Sequence, residues 1–585
     1  MKVKLANENF TSDYGKNLLL SRGVSDISSF MCPTLKNIQS YKDLEHIPMA
    51  LATIDSFREI TWKTQRIALI VDCDVDGYTS AAILYQYLKR IAPNFEITYY
   101  LHKGKAHGLE EHWEQLLAEN YDLIILPDAG SNDRQYAEKF KCPILVLDHH
   151  LVEEAPSPNM VVVNNQSSPN YHNKFLSGAG VTWQFCRAMD EFYGVDYAMD
   201  YIDLAALGID GDMMSGLETE NQAFWHLGFS NIKNYFFLSI ARKQAYSITG
   251  QMAPSDATIM SYLNPISVAF YIVPLINAMV RIGSMEEKTR MFEAFIDGHK
   301  MIPCQKRGAK GTLEEAAVES TRECVNARTH QKKMQEDAVA RLEQKIFKYD
   351  LLENRILFVR LDPEDKFPSE LNGLIAMNLA AKYNHPTIVA RLNSEGYIRG
   401  SIRGLNHSEM GSFKDFLDST GLCEYVMGHD NAAGVSIKNA DLSHLHEIAN
   451  KELAKYDFGE DYYEVQFERQ AYSNDLSDLI EDISSYKNYW STMNEEPLIY
   501  VRDLHFNAAD IQVMGKNNDT IKIMKNGIAY MKFFAKDMIE ELKHYTGDIK
   551  MEVVGKANLN TWMGTVTPQI FIENYEIKED KETDF

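Results

Sequence analysis

Cysteine is scarce and scattered in this chain of 585 residues. Its seven cysteines (Cys32, Cys73, Cys142, Cys186, Cys304, Cys324, Cys423) are odd in number and never form C-x-x-C. That excludes a disulfide scaffold and a zinc ribbon, and it fits a reducing compartment. No stretch of about 18 apolar residues is expected anywhere, and so no membrane span. The opening MKVKLANENF lacks the apolar segment of a signal peptide. A soluble, cytoplasmic protein is expected. Positive charge is in deficit, with 59 Lys+Arg against 83 Asp+Glu and a net charge of −24. Such a chain does not coat nucleic acid by bulk charge. A nuclease with a local basic track and a carboxylate-rich metal site stays open, because a metal reverses the local sign. Core-forming residues are in ordinary supply, at 45% hydrophobic and 24% charged. At roughly 150 residues per domain, the length predicts about four domains.

Residues 1 to about 60 read as helical, with Leu18, Leu19 and Leu20 before a turn at Arg22-Gly23. Three short apolar runs then read as strands. Ile67–Val71 ends in Asp72, Leu123–Leu126 closes with Pro127-Asp128, and Ile144–Leu147 closes with Asp148-His149-His150. Helical patterns over 81–91 and 112–119 lie between them. Short all-apolar strands alternating with helices predict a parallel sheet covered on both faces. Ligands in such sheets collect at the carboxyl ends of the strands, where all three runs carry acidic or histidine residues. From about Thr312 to Asp350 the chain reads as one long polar helix. Over 300–350 there are 11 Lys/Arg against 8 Asp/Glu, which fits a solvated spacer or a nucleic-acid contact. A second α/β unit follows, with strands at 356–359 and 387–390 around a helix at 373–383. After about Phe458 the pattern becomes all-β.

The segment after the first strand is Asp72-Cys73-Asp74-Val75-Asp76-Gly77. Three carboxylates at alternate positions repel one another at a strand end unless a cation joins them. An EF-hand is excluded, because position 12 counted from Asp72 is Ile83 in an apolar helix. The Cys73 side chain is expected to point away from its aspartate neighbours. With Asp128, Asp148-His149-His150, and Asp212 after Leu204–Gly208, the ligand count supports two divalent ions. Carboxylates with one or two imidazoles suit Mn²⁺ or Mg²⁺, the imidazole favouring Mn²⁺. Two such ions clamp the oxygens of an in-line displacement at phosphorus. The residues alone carry the argument to metal-dependent hydrolysis of a phosphoester or phosphoanhydride.

The segments VDCDVDGYTS, LPDAGSND, VLDHH and ALGIDGDMM resemble the four metal motifs of the DHH phosphoesterase superfamily. The similarity extends to RecJ-type single-strand-specific exonucleases. LLLSRGV and FMCP resemble their N-terminal segment, LSGAGV their SGAGV turn, and PLINAMVRIG their PRINAAGRMG motif. GSIR at 400–403 and GHDNAAG at 428–434 resemble elements of the companion DHHA1 domain. The last segment, from VVGKANLNTWMG onward, resembles the OB-fold that follows. The resemblance covers nearly the whole chain in order. It implies a multidomain α/β fold: an N-terminal helical segment at 1–60 packed on a parallel-sheet DHH domain at 61–295, a connecting helix at 296–350, an α/β DHHA1 domain at 351–457 and a C-terminal OB-fold β-barrel at 458–585.

Carried over residue by residue, the resemblance implies metal ligation by Asp74, Asp76, Asp128, His149 and Asp212, with Asp72 ligating directly or through water. His150 would face the phosphate, with Asp148 orienting the pair. Asn277 and Arg281 would face the scissile region. Ser401, Arg403 and His429, with backbone N–H groups around Gly428, would hold a terminal phosphate. Trp562, with Tyr530, Phe533 and Phe534, either stacks bases or forms barrel core. His102, His107 and His112 read as ordinary surface histidines in preference to a direct role, and Asp203 and Asp210 as solvated or capping in preference to ligating. Departures from the family pattern are Ile70, where small-substrate relatives carry a histidine, and Met427 and Leu275 in the phosphate motifs. LHKGKAHGL stands where an arginine-containing stretch is expected, with Lys103 or Lys105 in its place. The implied activity is Mn²⁺- or Mg²⁺-dependent 5′→3′ hydrolysis of single-stranded DNA to mononucleotides, in a protein of bacterial or phage origin. A single-strand-binding protein or another repair factor is an expected partner. The alternatives are a DHH phosphodiesterase of short oligonucleotides or cyclic dinucleotides, and an inactive single-strand clamp.

Overall fold

Numbered from β1 (Lys2–Leu5), the strands that follow are β2 (Gln65–Val71), β3 (Phe95–Leu101), β4 (Leu123–Pro127), β5 (Ile144–Asp148) and β6 (Met160–Asn164). β2 to β6 form one five-stranded sheet in the order β3-β2-β4-β5-β6, with every neighbouring pair parallel. The structure, a computed structural model, describes residues 1–6, 10–104, 106–309, 311–562 and 564–578, the side chain of Trp562 excepted. The chain divides into two compact units, Gly23–Lys332 with Asn488–Glu495, and Met1–Arg22 with Lys333–Lys487 and Glu496–Phe585.

In the unit built on 23–332, β2 is apolar from Ile67 to Val71 because both faces of the sheet are covered there. Ile67, Leu69 and Val71 enter one core with Tyr78, Tyr87, Trp183 and Phe224. Ala68 and Ile70 enter the other with Leu109, Leu116, Tyr121 and Val146. The two-residue side-chain period of a strand makes that division. Helix Val75–Ile91 starts six residues earlier than the sequence pattern predicts, because Asp74 caps it by accepting from Gly77 N at 2.9 Å. Contrary to expectation, one stretch of 18 residues, 265–282, reaches a mean hydropathy of 1.6. They are broken at Ile272 into helices Pro265–Tyr271 and Val273–Ile282. Val268, Leu275, Ile276 and Met279 join the core. The long helix runs Ala316–Lys348. The hairpin of β7 (Met301–Pro303) and β8 (Leu313–Glu315) replaces its predicted first turn.

In the other unit, β9 (Leu357–Leu361), β10 (Thr387–Leu392), β11 (Tyr397–Arg403), β12 (Cys423–His429) and β13 (Ala432–Lys438) form a mixed sheet in the order β12-β13-β11-β10-β9. Strand β14 (Tyr462–Val465) pairs in parallel with β1. The N-terminal segment predicted as helical therefore opens with a strand, before helix Tyr14–Ser21. A seven-stranded sheet follows, comprising β15 (Phe467–Gln470), β16 (Leu498–Asn507), β17 (Ile511–Met514), β18 (Thr520–Lys525), β19 (Ile528–Lys532), β20 (Asp548–Trp562) and β21 (Thr565–Lys578). Helices Leu476–Ser485 and Lys536–Leu542 interrupt the all-β pattern.

Trp183 is fully buried, meets Phe224 edge-on at 5.1 Å and donates from Nε1 to Ala198 O at 2.8 Å. Phe224→Ala removes that ring contact and leaves a cavity, so a loss of about 3–5 kcal/mol is expected. The measurement is the urea midpoint of the transition that reports this unit.

Candidate metal centre

The carboxylates at the sheet's C-terminal edge converge because β2, β4 and β5 all run in the same direction. Asp128 follows β4 with φ of 71°, held by its own N–H on Leu147 O at 2.7 Å. His149 follows β5, and Asp212 caps the C-terminus of helix Ile202–Gly211. His149 Nε2 lies 3.3 Å from Asp128 Oδ1, 3.5 Å from Asp212 Oδ2 and 3.9 Å from Asp76 Oδ2. The Asp76 carboxylate is aimed by the start of helix Gly178–Tyr193. It accepts from Ser177 Oγ at 2.8 Å, Gly178 N at 2.7 Å and Ala179 N at 3.0 Å, donors that a helix N-terminus leaves free. The approach demands glycine. A Cβ on Gly178 would stand 2.3 Å from Asp128 Oδ1, and one on Gly208 2.4 Å from Asp76 Oδ1.

Charge at this edge is strongly frustrated. Burial, then the fields of Asp72 and Asp76, pushes the Asp74 carboxyl up to about 6. Burial and the neighbouring aspartates push Asp128 and Asp212 well above the carboxylate range. Burial lowers His149 and so favours its neutral, ligating form. The next residue behaves oppositely. Burial opposes the charge of His150, but its hydrogen bond and ion pair with Asp148, Nδ1 to Oδ1 at 2.8 Å, win and raise it to about 9. Asp148 is fully engaged. It also accepts from Ser131 N at 3.0 Å, His149 N at 2.7 Å and His150 N at 3.1 Å. Although burial opposes its ionisation, the paired His150 holds it below the ordinary range.

The predicted ligands thus fall into two groups. Asp76, Asp128, His149 and Asp212 come together, with Asp128 Oδ1 buried and without a hydrogen bond. Asp74 spends one oxygen on its helix. Asp72 turns to His107, whose Nδ1 lies 2.7 Å from its Oδ2, while its buried Oδ1 makes no hydrogen bond. The hydrogen bond to Asp72 raises His107 to about 11. Cys73 does not point away. Its Sγ is 3.8 Å from His107 Nδ1, because the strand's alternation stops at Val71. His102 and His112 are buried rather than superficial. Asp203 anchors a loop, accepting from Lys233 N at 2.8 Å and Asn234 N at 2.7 Å. Asp210 is buried, not solvated. The sequence favoured a surface role for His107, and it gave no role to the Ser177–Ala179 donors. The small residues of LSGAGV were the available signal for the latter.

Asn277 and Arg281 lie one helical turn apart on Val273–Ile282, both half-buried. Burial and Arg328 lower Arg281, while Asp74 acts in the opposite direction. Lys103 is exposed. Lys105 and the Trp562 side chain lie outside the described residues. In the other unit, strand register aligns Arg403 with Ala432 and His429, and Ser401 with Gly434 and Met427. Ser401, Arg403 and His429 therefore share one sheet face. Gly428, with φ of 134°, sits in the neighbouring row. Tyr530 is core and Phe533 meets Phe571 edge-on at 5.3 Å, whereas Phe534 is 87% exposed.

Residues 66–209 match the family described as DHH family, N-terminal domain, and residues 474–574 match the RecJ OB domain. The SPbeta prophage-derived protein YorK of Bacillus subtilis, named a single-strand DNA-specific exonuclease, is 33% identical over 592 residues, covering 100% of this chain and 99% of YorK. The single-stranded-DNA-specific exonuclease RecJ of Bacillus subtilis is 22% identical over 590 residues, covering 96% of this chain and 68% of RecJ. The crystal structure of Thermus thermophilus RecJ in complex with Mn²⁺ has a TM-score of 0.70 at 18% identity, covering 99% of this chain and 80% of that one. The sheet and its carboxylate–histidine edge define a phosphoesterase of the DHH class. Within that class, the chain belongs to the RecJ-type exonuclease family.

Two outcomes follow from this geometry. A divalent ion must displace the proton that Asp74 carries below about pH 6, so affinity rises with pH. Mn²⁺ affinity by calorimetry should fall by about tenfold or more from pH 7 to pH 5. Gly178→Ala pushes Asp128 aside, and the same titration should show Mn²⁺ affinity reduced at least about tenfold with the secondary structure unchanged.

Proposed function

We propose that this chain is a divalent-metal-dependent exonuclease that hydrolyses single-stranded DNA from the 5′ end and releases mononucleotides. The observation that carries the reading is the convergence of Asp76, Asp128 and Asp212 on His149, beside a His150 held through Nδ1 by Asp148. A metal fits these residues on chemical grounds. Asp128 Oδ1 and Asp72 Oδ1 are buried acceptors with no hydrogen bond, and unpaired buried carboxylate oxygens are costly without a cation. Asp76, Asp128, His149 and Asp212 would hold one ion. Asp72 and Asp74, whose charges act on Asp128, would serve a second. When bound, Mn²⁺ or Mg²⁺ supplies Lewis-acid activation and neutralises charge at the phosphorus. Relatives named for single-stranded DNA, and a matching RecJ structure determined with Mn²⁺, support that choice.

The chain's own residues supply the remaining steps. His150 is charged near neutral pH and fixed through Nδ1 by Asp148, leaving its other ring nitrogen to donate to a phosphate oxygen. Arg281, with Asn277 on the same helix face, adds a fixed positive charge that stabilises the negative charge developing in the transition state. Ser401, Arg403 and His429 present donors from one face for a terminal phosphate, which makes the enzyme dependent on strand ends. The exposed Phe534 ring suits base stacking. On this reading, a single-strand-binding protein or another repair factor would dock on acidic surface away from these sites.

The test is a time course on an internally labelled single strand with Mn²⁺, comparing 5′-phosphate, 5′-blocked and 3′-blocked ends beside a duplex and a dinucleotide. Mononucleotides are expected only from an open 5′ end. Asp128→Ala and His149→Ala should abolish them, and Asp148→Asn should lower the rate about 10–100-fold. Cleavage of the dinucleotide alone would instead identify a small-substrate phosphodiesterase.

A further inference from the structure

We propose that His107 is a positioning residue, which holds one oxygen of the Asp72 carboxylate so that the other is left for a divalent ion. The proposal rests on the reading that Asp72 and Asp74 serve a second ion. His107 belongs to the LHKGKAHGL segment between β3 and helix Trp113–Glu119. It reaches the carboxylate edge, whereas Lys103 of the same segment is exposed.

The direction of control follows from what fixes each partner. His107 Nδ1 lies 2.7 Å from Asp72 Oδ2, the one hydrogen bond of the Asp72 side chain among the described residues. Asp72 Oδ1 is buried and makes none. The loop, by contrast, is restrained without help from Asp72. Leu109 N donates to Asp133 Oδ2 at 2.7 Å, and His112 N donates to Leu109 O at 3.1 Å. Before His107, Lys103 N donates to Glu111 Oε2 at 3.1 Å, and Lys103 O accepts from Lys288 Nζ at 2.8 Å. Gly108 makes the close approach possible. Its φ is 57°, and a Cβ there would stand 2.1 Å from Asp133 Oδ2. The imidazole is therefore carried by a fixed loop, and the carboxylate is the partner that is held.

This arrangement is the converse of the one at His150. There the carboxylate of Asp148 is fixed by three backbone N–H groups and aims the imidazole. Here the imidazole aims the carboxylate. The orientation matters because Asp72 acts electrostatically on Asp74, Asp128 and Asp212. A carboxylate free to rotate loses that freedom when it binds an ion, whereas one pinned through Oδ2 is already ordered. The His107 side chain is 60% exposed, so its replacement disturbs little packing.

The test is Mn²⁺ stoichiometry and affinity by calorimetry on the full-length chain, without nucleic acid. The unaltered protein should bind two ions. His107→Leu should keep one and weaken the other by about tenfold or more, and Asp72→Asn should weaken that same ion. His107→Asn, which keeps an N–H donor near the place of Nδ1, should restore binding in large part. His107→Leu combined with Asp72→Asn should bind no more weakly than Asp72→Asn alone, because a residue acting through Asp72 then has nothing further to lose. Two ions bound by His107→Leu as by the unaltered protein overturn the proposal. So does full additivity in the double variant, and so does a tighter second ion in His107→Leu, which would make the ring a competitor for Asp72. A single ion in the unaltered protein overturns the two-ion reading and the proposal with it, while the strand time course decides the nuclease reading separately.

Discussion

Mutual repulsion among buried carboxylates is the constraint around which the catalytic unit is organised. Asp72, Asp74, Asp76, Asp128, Asp148 and Asp212 crowd one edge of one sheet, and low dielectric magnifies every charge there. Each carboxylate is compensated in a different way. Asp76 receives helix N-terminal N–H groups, Asp148 an imidazolium, Asp72 the ring of His107, and Asp74 the N–H of Gly77. Asp128 and Asp212 face His149, which burial keeps neutral, and the charge of His150 offsets only part of the repulsion at Asp212. The uncompensated charge is therefore concentrated at one point, and that point is where a cation is required.

The adjacent pair His149-His150 shows how the environment assigns different work to identical side chains. Their rings lie 4.4 Å apart. His149 turns inward to carboxylates but is too buried to hold a proton. His150 turns outward and is held charged by Asp148. Placing a neutral ligand next to a positive hydrogen-bond donor requires the two pKa values to be driven apart, the general device by which acid and base roles are divided within a site. Asp148 drives that separation without joining the converging ligand group.

The parallel sheet and its acidic edge were legible in the sequence, because β2, β4 and β5 carry continuous apolar runs, at 67–71, 123–126 and 144–147, that lead into charged residues. Local pattern carries that information. Long-range pairing is another matter. β1 is a strand only because β14, more than 450 residues along the chain, aligns with it. Nothing within residues 2–5 announces that partner. Cys73 was misplaced because strand periodicity was extended past Val71 into a helix cap. The buried pair His102 and His112 was equally hidden, since an imidazole nitrogen's lack of a partner is a three-dimensional fact. Of the aromatic residues at 530–534, pattern could not separate the core Tyr530 from the exposed Phe534.

The acidic balance of −24 acquires a meaning once the carboxylate edge is in view. A protein repelling polyanions over most of its surface suppresses indiscriminate attachment to nucleic acid. On the proposed reading, attraction is confined to places where the sign is reversed, among them the ions that His149 and its carboxylates would hold, the His150 ring paired with Asp148, and arginines such as Arg281 and Arg403. On the proposed reading, the ions that perform hydrolysis also make the site attractive to a phosphodiester at all. Binding and chemistry are thereby coupled through the same ligands. On that reading the loss of Asp128 or His149 would remove both together, whereas the loss of Arg403 or Ser401, on a sheet face in the other unit, would remove only a grip on the strand's end.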